Sequence, residues 1–122
     1  MATILVIDDE PAMRELVARI LSPAGHSIIE AANGIEGVGL AEKHRPEVVI
    51  TDVLMPGKEG IETMCEIQAR LPASRIVVIS GGGRARNLMF LDIAKALGAS
   101  AVLAKPFRSA ELFKVVEACL RV

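Results

Sequence analysis

The stretch TILVIDD occupies residues 3–9 and consists of a short apolar run followed directly by two aspartates. Three later runs share this design: residues 48–51 end at Asp52, residues 76–79 end at Ser80, and residues 101–104 end at Lys105. Short, continuously apolar runs are typical of parallel strands covered on both faces. If the four runs are neighbouring parallel strands, their carboxyl ends bring three carboxylates, one hydroxyl and one ammonium into a single crevice.

Strand and helix patterns alternate along the whole chain. The predicted strands are residues 3–8, 27–31, 48–52, 75–80 and 101–104. The predicted helices run over about residues 11–21, between Gly34 and Pro46, after Gly60, over roughly 87–97, and from Ser109 with that serine as its N-cap. The second strand is the least apolar, which favours an edge. Right-handed crossovers then give an open, doubly wound α/β sheet whose ligands bind outside the carboxyl ends of the strands.

Composition excludes several classes of protein. A chain of 122 residues with 52% hydrophobic residues forms one domain with a sizeable core. Aromatic residues make up only 2%, and the net charge is −1 with scattered basic residues, so we expect no direct nucleic-acid or membrane partner. No run approaches a membrane span, and the two cysteines are interpreted as reduced core residues of a cytoplasmic protein.

The acidic pair Asp8-Asp9 points to a cation. Adjacent carboxylates repel each other, so burying both is costly unless a cation is present. Mg²⁺ prefers hard oxygen ligands, and Asp8 or Asp9 together with Asp52 would supply them. The alternative is that the pair merely ends a strand and caps a helix. The third carboxylate at another strand end favours the metal site.

Asp52 is the candidate nucleophile. A carboxylate can attack phosphorus and form an aspartyl phosphate, and the protein then mainly positions the groups and neutralises charge. The cation and Lys105 would neutralise charge, and Ser80 would donate a hydrogen bond to a phosphoryl oxygen. Each residue alone has a commoner role as a surface or loop group. The Lys105-Pro106 bond is a candidate for a cis peptide, and the sequence leaves the isomer open.

Taken in order, these residues resemble the receiver domain of bacterial two-component response regulators. The resemblance covers the whole chain and rests on Asp8-Asp9-Glu10-Pro11, on Asp52 with Met55-Pro56 and Gly60, on Ser80 with its glycines, on Gly98-Ala99, and on Lys105-Pro106-Phe107. It implies a flavodoxin-like (βα)5 three-layer sandwich with a parallel five-stranded sheet in the order 2-1-3-4-5. It also implies that residues 1–122 are a single receiver domain with no output domain.

The resemblance further implies a role for each matching position. Asp52 would be the phosphoacceptor, Lys105 would contact the phosphoryl group, and Ser80 would be the switch hydroxyl. Four groups would bind Mg²⁺ or Mn²⁺: the carboxylates of Asp8, Asp9 and Asp52 and the backbone carbonyl of Leu54. The phosphoryl donor would be a phosphohistidine on a sensor histidine kinase or histidine phosphotransfer protein. Such a domain is not an enzyme beyond catalysing its own phosphorylation and dephosphorylation.

The implied output is a change in partner binding. Phosphorylation would draw Ser80 toward the new oxygens and bias the face of the fourth helix, fifth strand and fifth helix toward a downstream protein target. Val102 stands where many receivers carry Tyr or Phe, so an aromatic rotamer cannot be the readout. Homodimerisation on activation is an additional expectation that the sequence leaves open. The apolar run at residues 88–91 is predicted to be helix core, with a dimer or partner surface as the alternative.

Other interpretations remain open from sequence. The chain could be a phosphorylation-independent interaction or scaffold domain, or a receiver taken from a longer regulator. A phosphatase with an aspartate nucleophile would typically show an Asp-x-Asp pattern at the first strand, whereas this chain has Asp8-Asp9-Glu10.

Overall fold

The computed structural model describes residues 2–52, 60–80 and 92–121. In these ranges the strands are β1 (Thr3–Ile7), β2 (Ser27–Ala31), β3 (Val48–Asp52), β4 (Arg75–Ser80) and β5 (Ala101–Ala104). The helices are α1 (Pro11–Leu21), α2 (Gly34–His44), α3 (Gly60–Arg70), α4 over described residues 92–96, and α5 (Ser109–Leu120), with a 3-10 turn at Ser22–Ala24.

The strands form one parallel sheet in the order β2-β1-β3-β4-β5, which confirms the predicted fold class. The least apolar strand, β2, lies at an edge as predicted. The chain passes from β1 outward to β2 and then returns to β3 on the other side of β1. The winding therefore reverses between β1 and β3, which is where a doubly wound sheet opens a crevice at its carboxyl end.

Alternate residues of each strand enter two separate cores, one on each face of the sheet. Leu5 and Ile7 pack on one face with α2, α3 and α4, whereas Ile4 and Val6 pack on the other with α1 and α5. All four side chains are 0–1% exposed. The continuous apolar pattern of β1 follows from this burial on both faces, and the result is the predicted three-layer sandwich.

Helix α2 owes its weak apolar periodicity to a close approach to β1. A Cβ atom at Gly37 would lie 2.8 Å from Ile7 Cγ1 and closer still to Ile7 Cδ1, whereas a Cβ atom at Gly39 would meet nothing within 4 Å. Gly37 thus lets the helix rest directly on the last residue of β1. Asn33 caps the helix by accepting a hydrogen bond from the Glu36 N–H at 2.8 Å.

Several local predictions needed correction. β1 ends at Ile7, so Asp8 lies just beyond the strand. Cys65 is exposed and not part of the core, because it lies on the outer side of α3, and Cys119 is half-buried. The N-cap of α5 is Arg108, whose backbone N–H donates to Glu111 at 2.8 Å, since Ser109 already has helical geometry.

Other predictions concern residues outside the described ranges. They involve the Leu54 carbonyl, the Met55-Pro56 pair, the glycines at 81–83, the first part of the fourth helix and the apolar run at 88–91. Within the described ranges, no helix is both long and apolar enough to cross a bilayer.

Candidate functional site

The ammonium of Lys105 lies at the centre of a group of carboxylates. Its Nζ donates a hydrogen bond to Asp52 Oδ2 at 2.8 Å and lies 3.7 Å from Asp8 Oδ2 and 3.6 Å from Glu10 Oε1. The side chains of Asp8 and Asp52 are 4% and 6% exposed, and that of Lys105 is 16% exposed. The structure therefore brings the ends of β1, β3 and β5 together as the sequence predicts.

Asp8 is fixed by the turn that leads from β1 into α1. Its Oδ1 accepts a hydrogen bond from the Glu10 backbone N–H at 2.9 Å, and its own N–H donates to Ala31 O at 3.1 Å. Arg14 donates from Nη1 to the Asp8 carbonyl at 2.7 Å and from Nε to Glu30 Oε1 at 3.1 Å. These contacts hold the carboxylate against Lys105 and leave it little freedom to turn outward.

Among the residues that the structure describes, the charges of the crevice are unbalanced toward negative. Burial raises the pKa of Asp8 to about 6, and the charges of Asp52 and Asp9 act in the same direction. The Glu10 N–H and the Lys105 ammonium only partly oppose this rise. Burial alone would lower the pKa of Lys105, but its hydrogen bond to Asp52 and the surrounding carboxylates hold that pKa above its usual value. Lys105 is therefore charged at neutral pH and is shared among several carboxylates.

Three carboxylates are close enough to share a cation. One oxygen from each of Asp8, Glu10 and Asp52 lies within 4.8 Å of the others. Oxygen donors of this kind suit Mg²⁺ or Mn²⁺, and a divalent ion would offset the surplus negative charge that Lys105 leaves. The residues present therefore fit the implied metal. Asp9 is exposed and does not belong to this group in the structure.

Glu10 is the residue that the sequence interpretation passed over. It occupies the N-cap position of α1, yet its side chain makes no capping hydrogen bond and instead reaches to 3.6 Å from Lys105 Nζ. Its side chain is 66% exposed, so it lies at the mouth of the crevice. The available signal was its place directly after two aspartates, next to a proline that already fixes the start of the helix.

Ser80 and Lys105 are joined through the backbone. Ser80 is fully buried at the end of β4, and its carbonyl accepts a hydrogen bond from the Lys105 N–H at 2.7 Å. The Lys105-Pro106 peptide is cis. Val102 on β5 is half-buried and packs against the core that lies under α2, α3 and α4. Because β4 and β5 are adjacent strands, Ser80 and Lys105 are neighbours at the carboxyl end of the sheet.

Helix N-termini also face this end of the molecule. Helix α1 begins at Pro11, three residues after Asp8, and α5 begins at Ser109, four residues after Lys105. The N-terminus of a helix carries partial positive charge, which favours anionic groups nearby. The crevice can therefore hold buried carboxylates and an additional anion beside them.

Comparison with known proteins agrees with this arrangement. The sequence model of one protein family, the response regulator receiver domain, matches residues 4–117 of this chain. The transcriptional regulatory protein PdtaR of Mycobacterium tuberculosis is 38% identical over 93% of the chain, and this chain spans only 54% of the length of that protein. Protein PilH of Pseudomonas aeruginosa is 30% identical, with 98% of both chains covered.

A solved structure gives the same result in three dimensions. The receiver domain of NtrX from Brucella abortus superposes with a TM-score of 0.90 at 33% identity, covering 98% of each chain. Sequence family, fold and strand order agree, and they confirm the resemblance inferred from the motifs. The chain belongs to the family of response regulator receiver domains.

Proposed function

We propose that this receiver accepts a phosphoryl group on Asp52 from a phosphohistidine of a sensor histidine kinase or histidine phosphotransfer protein. The observation that carries the proposal is the 2.8 Å contact between Lys105 Nζ and Asp52 Oδ2 in a buried crevice with a surplus of carboxylates. If Lys105 served only in a structural ion pair, a single carboxylate partner would be enough. Here Asp8 and Glu10 also approach the ammonium, at 3.7 and 3.6 Å.

The transfer itself is a displacement at phosphorus. An Asp52 carboxylate oxygen forms a bond to phosphorus while the phosphorus–nitrogen bond of the donor breaks, and the electron pair stays on the imidazole nitrogen. Lys105 holds Asp52 in place before transfer and balances the charge of the acyl phosphate afterwards. Burial of Asp52 limits access of water to the nucleophile.

The proposed cation ligands are Asp8, Asp9, Asp52 and the carbonyl of Leu54, a residue outside the described ranges. A bound Mg²⁺ or Mn²⁺ would supply neutralisation of the phosphoryl oxygens. Asp8 is already oriented by the Glu10 N–H. Glu10 adds a fourth carboxylate to the set, because its oxygen lies within 4.8 Å of those of Asp8 and Asp52.

Output is proposed to pass through Ser80. Its hydroxyl would bond to a phosphoryl oxygen, and its backbone is tied to β5 through the Lys105 N–H. The face made by α4, β5 and α5 would then change its affinity for a downstream protein partner, as a local charge change biases a larger element. We also propose that the chain acts in the cytoplasm.

The experiment is incubation with Mg²⁺ and acetyl phosphate, followed by intact mass spectrometry. We expect one phosphoryl group on the wild-type chain and none on Asp52→Asn, which keeps the side-chain shape but is a far weaker nucleophile. Asp92→Asn is the matched control, because Asp92 is exposed on α4 and is not among the carboxylates around Lys105. Omission of the divalent cation should also prevent the adduct. An adduct that survives Asp52→Asn would contradict the proposal.

A second measurement separates a switch from a scaffold. Addition of beryllofluoride, a mimic of the phosphoryl group, is followed by amide chemical shifts. We expect shifts at the crevice and along α4, β5 and α5 in the wild type, and no shifts in Asp52→Asn. Shifts confined to the crevice would favour the phosphorylation-independent scaffold.

A further inference from the structure

A second cavity lies at the opposite end of the sheet from the crevice. It has a volume of about 560 Å³ and is formed where β4 and β5 begin, against the last turns of α5. This volume lies within the range typical of sites for small molecules, roughly 300–1,000 Å³. Its lining includes three polar residues, Arg75, Ser100 and Arg121, and also Val115, Ala118 and Cys119.

The charged residues that line this cavity are all positive. Two of its lining residues are arginines, and none of those in the described ranges is acidic. Both arginines are exposed, and neither guanidinium group has an ion-pair or hydrogen-bond partner among residues 2–52, 60–80 and 92–121. Arg70, by contrast, forms ion pairs with Glu42 and Glu66 within the chain.

Arg75 is close enough to the apolar wall to affect it electrostatically. Burial raises the pKa of the Cys119 thiol, and the positive charge of Arg75 partly opposes that rise. Arg75 and Cys119 both line the cavity, so the positive charge lies near its thiol wall. Guanidinium groups bind carboxylates and phosphates through paired hydrogen bonds, so an unpaired arginine at a cavity favours an anionic ligand.

Ser100 adds a further donor. Its Oγ accepts a hydrogen bond from the Ile76 backbone N–H at 3.2 Å, which leaves its own proton available. No described residue accepts that proton in the structure. Arg75, Arg121 and Ser100 thus bring side-chain hydrogen-bond donors to the cavity, and Val115, Ala118 and Cys119 give it an aliphatic and thiol surface.

We propose that this cavity binds a small organic anion, a phosphate or carboxylate group attached to an apolar body. The anionic group lies between Arg75, Arg121 and the Ser100 hydroxyl, and the apolar body rests on Val115, Ala118 and Cys119. The proposal does not depend on phosphorylation of Asp52, because the two sites lie at opposite ends of the strands.

Cys119 provides a direct probe of occupancy, and Cys65 provides an internal control in the same molecule. Cys65 is exposed on α3 and does not line the cavity. Alkylation by iodoacetamide is followed at each cysteine by peptide mass spectrometry, with and without phenyl phosphate, benzoate or uncharged benzyl alcohol. A ligand with a Kd of about 1 mM, present at about 5 mM, would slow alkylation of Cys119 about sixfold.

We expect phenyl phosphate or benzoate to protect Cys119, to leave Cys65 unaffected, and to exceed benzyl alcohol in effect. The stronger of the two anions identifies whether phosphate or carboxylate is preferred. Equal protection of both cysteines, equal protection by benzyl alcohol, or no protection by either anion would overturn the proposal.

Variants at the arginines test the polar half of the site. In Arg75→Gln/Arg121→Gln, the ratio of alkylation rates without and with the anion should return to about one. Arg19→Gln is the matched control, because Arg19 is an exposed arginine that lines the separate groove between α1 and α5. Protection that persists in the double variant, or that is lost in Arg19→Gln, would contradict the assignment. Both arginines are exposed, so we expect the double variant to keep the circular dichroism spectrum of the wild type.

Discussion

The two ends of the sheet differ in the sign and the burial of their charged side chains. At the carboxyl end, the buried carboxylates of Asp8 and Asp52 lie beside the ammonium of Lys105. At the amino end, Arg75 and Arg121 are exposed, and neither has an acidic partner among the described residues. The first end combines surplus negative charge with burial, whereas the second combines positive charge with access to solvent.

The difference follows from the geometry of parallel strands and crossover helices. Both α1 and α5 begin at the carboxyl end, so their positive N-termini stabilise acidic groups there, and α5 ends beside the arginines. A buried excess of negative charge reduces stability and calls for a cation. An exposed excess of positive charge reduces the stability of the fold only slightly, because water solvates it, and it remains available to bind an anion.

The strand end that carries Asp8 depends on tight packing beneath it. Gly37→Ala places a Cβ atom 2.8 Å from Ile7 Cγ1, in a fully buried contact, so either β1 or α2 must shift. We expect the free energy of unfolding to fall by about 2 kcal/mol. Urea denaturation followed by far-ultraviolet circular dichroism measures this, since the chain has no Trp or Tyr to report by fluorescence.

Gly39→Ala is the matched control on the same helix. A Cβ atom there meets nothing within 4 Å, so the substitution removes a helix-interior glycine without a clash. We expect a gain of about 0.5 to 1 kcal/mol. Similar effects at the two positions would mean that Ile7 moves aside easily and that the end of β1 is not tightly held.

Asp8→Asn tests the surplus of buried charge directly. The asparagine can still accept the Glu10 N–H, but it removes an ionised group from beside Asp52. Without divalent cations, we expect the free energy of unfolding at neutral pH to rise by on the order of 2 kcal/mol. Glu42→Gln, an exposed partner of Arg70, should change it by less than about 0.5 kcal/mol. A destabilised Asp8→Asn variant would show that Lys105 already compensates the charge.

The same substitution should change the dependence of stability on pH. Because the pKa of Asp8 rises from 3.8 to about 6 on folding, the folded state binds this proton more tightly than the unfolded state. The resulting stabilisation is complete below about pH 4 and is lost as the pH rises through about 6. The wild type should therefore lose stability over this interval by more than Asp8→Asn does. If the stability of the two proteins depended equally on pH, the raised pKa of Asp8 would be contradicted.

Much of the framework was predictable because it depends on periodicity. Four of the five predicted strands, from β2 to β5, have the predicted bounds, and the first is one residue shorter. The positions that follow the strands could be placed in one crevice because parallel strands end at a common edge. The strand order itself came from resemblance to the family, since apolar runs alone do not distinguish one order of parallel strands from another.

Side-chain direction and contacts between distant residues were not predictable. Glu10 lies at the N-cap of α1, but its carboxylate approaches Lys105 and does not cap the helix. Cys65 lies on the outer side of α3, although its place in the sequence pattern also suits an inward position. The cavity at the amino end depends on Arg75 and Arg121, which are far apart in sequence and share no motif. Such features depend on rotamers and on tertiary approach.

Cation affinity tests how the carboxylates share the ion. Asp9→Asn should weaken Mg²⁺ binding about tenfold, because the family resemblance implies a ligand there, and Glu10→Gln about threefold, because its exposed carboxylate contributes mainly charge. Isothermal titration calorimetry measures both. A loss in Glu10→Gln as large as that in Asp9→Asn would give Glu10 a ligand position, consistent with its distance to Asp8 and Asp52.

The smallest expected effect is at the contact between His26 and Glu117, near the amino end of the sheet. His26 is buried just before β2, and its Nε2 lies 2.9 Å from Glu117 Oε2 on α5. Glu117→Gln keeps an acceptor and removes one half-exposed charge. We expect the free energy of unfolding to fall by about 0.5 kcal/mol, against roughly zero for Glu15→Gln in the exposed pair with Arg19. A loss above about 2 kcal/mol would mean that buried charge is as important at this end as in the crevice.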